Sequence, residues 1–118
     1  MIEFFVLSMS HNEGYQPKNV FVNLATLMMY WGDKLKDHSK IQGMEITQQH
    51  VSTGDLKDEE IDQVFEVEIL QNDDRWVRHY FATIEDIAAW KSFQMENDNI
   101  YKLDFANMQV NTLYLNRD

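Results

Sequence analysis

VFEVEILQNDDRWVRHYF, residues Val64 to Phe81, decides the fold: two alternating runs joined by a polar turn, the pattern of a β-hairpin. In the first run Phe65, Val67 and Ile69 share one face, while Glu66 and Glu68 share the other with Val64 and Leu70. The second run alternates Val77, His79 and Phe81 with Trp76, Arg78 and Tyr80, and the loop length decides which set joins the apolar face. An even-length loop places Trp76 and Tyr80 inside. An odd-length loop, with a left-handed residue such as Asn72, buries Val77 and Phe81 and sets Arg78 opposite Glu68. The odd register is the favoured one, and it leaves Trp76 and Tyr80 beside the two glutamates. That second face is expected either to lie under a helix or to form a binding patch.

Outward from the hairpin, Thr83 stands three residues before Asp86 and opens a helix from Ile84 to about Glu96. Its expected inner side is Ile84, Ile87, Ala88, Trp90 and Phe93, with Lys91 and Gln94 toward water. The tail reads as two further strands about a turn near Ala106 and Asn107. On the other side, Ile41 to Val51 is rich enough in β-branched residues for a strand, with a bulge expected at Gly43. Asn19 caps an expected helix from Val20 to about His38, whose stripe is Phe21, Leu24, Leu27, Met28, Trp31 and Leu35. Ile2 to Ser10 is an opening strand. The order is β-α-β-β-β-α-β-β, which describes a single α+β domain, residues 1–118, with a mainly antiparallel sheet and two amphipathic helices.

The 118 residues carry a net charge of −10 that is unevenly spread: −1 up to Gly54 and −9 from Asp55 onward. Five acids, Asp55, Asp58, Glu59, Glu60 and Asp62, fall within eight residues ahead of the hairpin. Their spacing is not that of an EF-hand loop, so no metal is assigned. There are no cysteines, which excludes a disulfide framework and a thiolate site within the chain. The four histidines lie in four different expected elements without ligand spacing. No nucleophile elbow or phosphate-cradling glycine loop occurs, so neither an enzyme nor a cofactor is expected. Basic residues never cluster, and direct nucleic-acid binding is disfavoured by the acidic hairpin. No apolar run reaches the length of a membrane span, and the opening residues lack a basic leader, so a cytoplasmic location is the expectation.

The function these features point to is a small acidic inhibitor of the immunity type, blocking a basic protein partner such as a nuclease toxin. Carboxylates steer the partner in and aromatic side chains anchor it. The expected contact residues are Asp55, Asp58, Glu59, Glu60, Asp62, Glu66, Glu68, Asp73, Asp74, Trp76, Arg78 and Tyr80. In size and charge the chain is similar to bacterial toxin-immunity proteins and small phage anti-defence proteins, although no family motif is matched residue by residue. A phage-encoded nucleic-acid mimic acting on a host nuclease is one alternative. The other is a small-ligand-binding or housekeeping domain with a pocket between sheet and helices.

Overall fold

The computed structural model describes residues 1–11, 18–34, 41–71, 74–99 and 102–117. Within them the elements are β1 (Ile2–His11), β2 (Lys18–Phe21), α1 (Leu24–Lys34), β3 (Ile41–Val51), a 3-10 turn (Asp58–Glu60), β4 (Gln63–Gln71), β5 (Trp76–Phe81), α2 (Ile84–Glu96) and β6 (Leu103–Asn116). The architecture is the expected α+β domain, with two helices on a six-stranded sheet in the order β3-β1-β2-β6-β4-β5. All neighbours run antiparallel except β2 and β6.

The hairpin adopts the odd register: Phe65 pairs with Phe81, Glu68 with Arg78 and Ile69 with Val77. The left-handed turn residue among those described is Asp74, at φ 65°, a backbone region that aspartate tolerates better than most side chains. Phe65, Val67 and Ile69 then pack with Val77, Phe81, Ile87 and Trp90 under α2. Thr83 caps that helix, its hydroxyl accepting from the Asp86 amide at 3.1 Å. Thr83→Ala is expected to lower stability by about 1 kcal/mol in a urea titration, whereas Thr83→Ser should be almost silent.

Four local expectations are corrected. Residues 18–21 form strand β2 and not the start of α1, because Val20 and Phe21 pair with Val6 and Phe5 of β1, and with Leu115 and Asn116 of β6. The cap accordingly moves to Asn23, whose side-chain oxygen accepts from the Ala25 amide at 2.7 Å. Of the expected α1 stripe, Leu27 is fully buried and Trp31 half-buried, Leu24 and Met28 are exposed, and Leu35 and His38 lie outside the described residues.

Helix α2 is rotated from its expected face. Ile87 and Gln94 are buried and Trp90 and Lys91 half-buried, whereas Ile84 and Phe93 are exposed. Stacking of Trp90 against His79, Phe81 and Phe105 sets this rotation. The tail, finally, is one strand. Its turn signal is a bulge in which residues 105–107 have no partner on β4, since Ile69 pairs with Met108 and Leu70 with Asp104. Asp104 closes the bulge by accepting from the Ala106 amide at 3.0 Å and the Asn107 side chain at 2.7 Å. The irregularity expected at Gly43 falls beside it, between the Ser10–Gly43 and His11–Ile41 pairs.

The sheet curls strongly. Phe4 on β1 and Tyr80 on β5 have ring centroids 5.8 Å apart, although four strand steps separate them in the sheet order. In a flat sheet that distance is about 19 Å. The curl brings the edge strands β3 and β5 into contact and gives the sheet an inner face. At one end the inner face is apolar: Ile2, Phe4, Val51, Ile61, Val64, Ala82 and Leu113 form a core closed to water. Both helices pack outside, α1 over Leu7, Met9 and Phe21 and α2 over the hairpin's apolar face. No helix among the described residues is long and apolar enough to cross a membrane.

Candidate functional site

At the other end of the inner face the strand alternation delivers polar residues. Ser8 continues the Ile2, Phe4, Val6 row of β1, and Lys18 sits opposite it on β2. Glu66 and Glu68 follow Val64 on β4, with Asn111 and Gln109 opposite them on β6 and Tyr80 and Arg78 on β5. Among these, Glu66 is 0% exposed.

A buried carboxylate requires compensation, and here it is complete. The Lys18 ammonium donates to Glu66 Oε1 at 2.6 Å and to Glu68 Oε1 at 2.9 Å. The Tyr80 hydroxyl donates to Glu66 Oε2 at 2.7 Å. The Asn111 amide donates to both glutamates, at 3.2 and 2.9 Å. Burial by itself pushes the Glu66 carboxyl up, but these hydrogen bonds and the Lys18 charge together outweigh it and hold the group below the ordinary carboxylate range. The Tyr80 hydroxyl is pushed well above its ordinary value, first by burial and then by its bond to Glu66 and that group's charge. On the outer face burial lowers His79, which is therefore a neutral stacking partner of Trp90.

Above this network lies a cavity of about 170 Å³. Glu66, Lys18 and Tyr80 form part of its lining, with Glu45, Thr47 and Gln49 contributed by β3 and Trp76 and Arg78 by β5. Trp76, at 56% exposure, stands toward solvent, and Arg78 and Glu45 are also exposed.

The expected contact residues therefore separate into three groups. Glu66 is interior, so it cannot belong to an exposed docking patch, and Glu68 is largely enclosed against Lys18. Among the described residues no helix covers the face holding Trp76 and Tyr80: the curled sheet half-buries Tyr80 and leaves Trp76 and Arg78 at the open end. Asp74 is exposed at the hairpin turn, and Asp73 lies outside the described residues.

Asp55, Asp58, Glu59, Glu60 and Asp62 are all exposed, but they stand at the opposite end of β4. Glu68 lies six positions beyond Asp62, about 20 Å along a strand, so the acidic loop and the hairpin carboxylates are not one patch. The loop is nevertheless held in place. Gly54 at φ 60° and the Leu56 amide bonded to the Thr53 carbonyl at 3.0 Å make its first turn. Arg117 from the chain's far end donates to the carbonyls of Asp58, at 2.6 Å, and Ile61. Leu56, 42% exposed, sits among the acids.

Lys18, Asn111, Glu45 and Leu56 are functional candidates that the sequence reading passed over. Lys18 and Asn111 lie 48 and 45 residues from Glu66, and no local pattern marks such a pairing. Leu56 had a signal, an apolar residue next to the first acid of an acidic run.

No family model, curated protein or solved structure matches this chain.

Proposed function

We propose that this protein is a small acidic inhibitor of the immunity type, which binds a basic protein partner through the loop from Asp55 to Asp62. The observation that carries the reading is a braced acidic loop: exposed carboxylates on a 3-10 turn tied to the body by Arg117, with an exposed leucine in their midst. A preformed loop gives up little conformational entropy on binding. Its carboxylates accelerate the approach of a basic surface, and an apolar side chain in the centre of such a charged ring holds the complex after water is expelled. Leu56 replaces the aromatics Trp76 and Tyr80 as the anchor, since Tyr80 is half-buried and bonded to Glu66 and Trp76 stands at the turn end of the hairpin, away from the loop.

The immobilised protein is expected to retain one stoichiometric basic protein from lysate of its source cells at low salt, and to release it at high salt. With that partner in hand, the triple reversal Asp55→Lys, Glu59→Lys, Asp62→Lys should slow association at least about tenfold. Leu56→Ala should instead speed dissociation. Asp58 is left in place because it accepts a bond from the Thr53 hydroxyl within the loop. Unchanged association by the triple variant removes the loop from the interface and sinks the reading.

A further inference from the structure

We propose that the open end of the curled sheet is a binding site for a small zwitterion of the α-amino-acid class, held between β3 and β5. The charges around the cavity point to this ligand independently of the inhibitor reading. The cavity lining carries two carboxylates, Glu45 and Glu66, and two cations, Lys18 and Arg78. Lys18 is committed to the floor, where it bridges Glu66 and Glu68. Glu45 and Arg78 remain. They reach the cavity from facing edge strands, and neither forms a hydrogen bond or ion pair with another described residue.

Two opposite, uncommitted charges on opposing walls select a ligand with one charge of each sign. A simple cation pairs with Glu45 but offers the Arg78 guanidinium fork no acceptor to bind. A simple anion meets Glu45 above a floor that is already net negative, because Glu66 and Glu68 share one ammonium. A zwitterion matches both walls, its carboxylate on the planar guanidinium fork of Arg78 and its ammonium on Glu45. Thr47 and Gln49 add neutral donors and acceptors between them.

Size narrows the class. A cavity of about 170 Å³ has room between the two walls for the charged ends of a small amino acid such as glycine, alanine or serine. Trp76 stands at the rim, over half exposed, and a seated ligand covers part of its indole.

The test is a titration of the nitrogen-15-labelled full chain with glycine, L-alanine and L-serine at millimolar concentration, read at the Trp76 indole N–H and the Thr47 and Arg78 amides. At least one of the three should give saturable shifts at all these positions. The N-acetyl and methyl-ester forms of that amino acid, each lacking one charge, should bind at least about tenfold more weakly. Arg78→Gln and Glu45→Gln, both at exposed positions, should each weaken binding by a similar factor while leaving the thermal midpoint close to that of the parent. Absence of saturable shifts with all three amino acids overturns the proposal, as does equal binding of the singly charged analogues, a comparison made on the unaltered chain. Either failure leaves the acidic-loop reading standing, because that loop lies at the other end of β4.

Discussion

Replacing Lys18 by methionine is expected to lower the free energy of unfolding by about 3–5 kcal/mol at neutral pH. The size follows from what the substitution leaves behind. Glu66 is fully enclosed and Glu68 largely so, and both lean on the one ammonium. Without it, Tyr80 and Asn111 still donate, but the buried negative charge has no counter-charge. The pH dependence gives the prediction its signature.

In the parent, Glu66 is held below its ordinary value of 4.5, so the stability it contributes is present above that value and is lost as the pH falls through the folded-state value. In Lys18→Met, burial dominates and pushes the carboxyl up. The variant then takes up its proton in the folded state first and regains stability on acidification. The gap between the two proteins, from urea titrations at neutral pH and near pH 4.5, should therefore narrow toward acid. His79 is lowered by burial in both proteins alike and cancels in the difference. Adding Glu66→Gln to the variant should recover part of the loss at neutral pH and remove the narrowing. A loss below about 1 kcal/mol, or a gap that ignores pH, refutes the assignment of Glu66 and Lys18 as an interior charge pair.

Phe4→Ala is expected to cost about 3–5 kcal/mol, the range for a phenylalanine removed from a closed core. Phe4 is 0% exposed and meets the edge of the Tyr80 ring across the interior. The loss therefore joins cavity formation to an aromatic pair between strands four steps apart in the sheet order. Phe5→Ala, on the outer face and only half-buried, should cost markedly less. The Tyr80 ring resonances should move in Phe4→Ala and stay still in Phe5→Ala. Indifference of Tyr80 to both substitutions means that the sheet does not curl β1 onto β5.

The contrast between what the residues declare and what the fold adds is clearest in the hairpin. Its alternation is local, and so are the Thr83 cap and the α2 boundaries, whereas the choice between its two registers rests on the turn. The apolar face of β4 was legible for the same reason. The boundary of α1 was not, because Val20 and Phe21 satisfy a helical period and a strand alternation equally, and their partners on β1 and β6 decide between them. The turn signal at Ala106 and Asn107 was real, yet a bulge and a hairpin turn draw on the same asparagine and aspartate chemistry.

The candidate sites divide along the same line. By itself the sequence determined the α+β class, the two helices and the concentration of acid in the second half, since each rests on neighbours within a few positions, and it left two hairpin registers open. Only the tertiary structure decided that the sheet curls, that Glu66 is interior, and that the acidic loop and the hairpin carboxylates face different ends. Those outcomes depend on Lys18, Phe4 and Arg117 meeting residues tens of positions away, where burial and strand pairing act without leaving a mark on the local pattern.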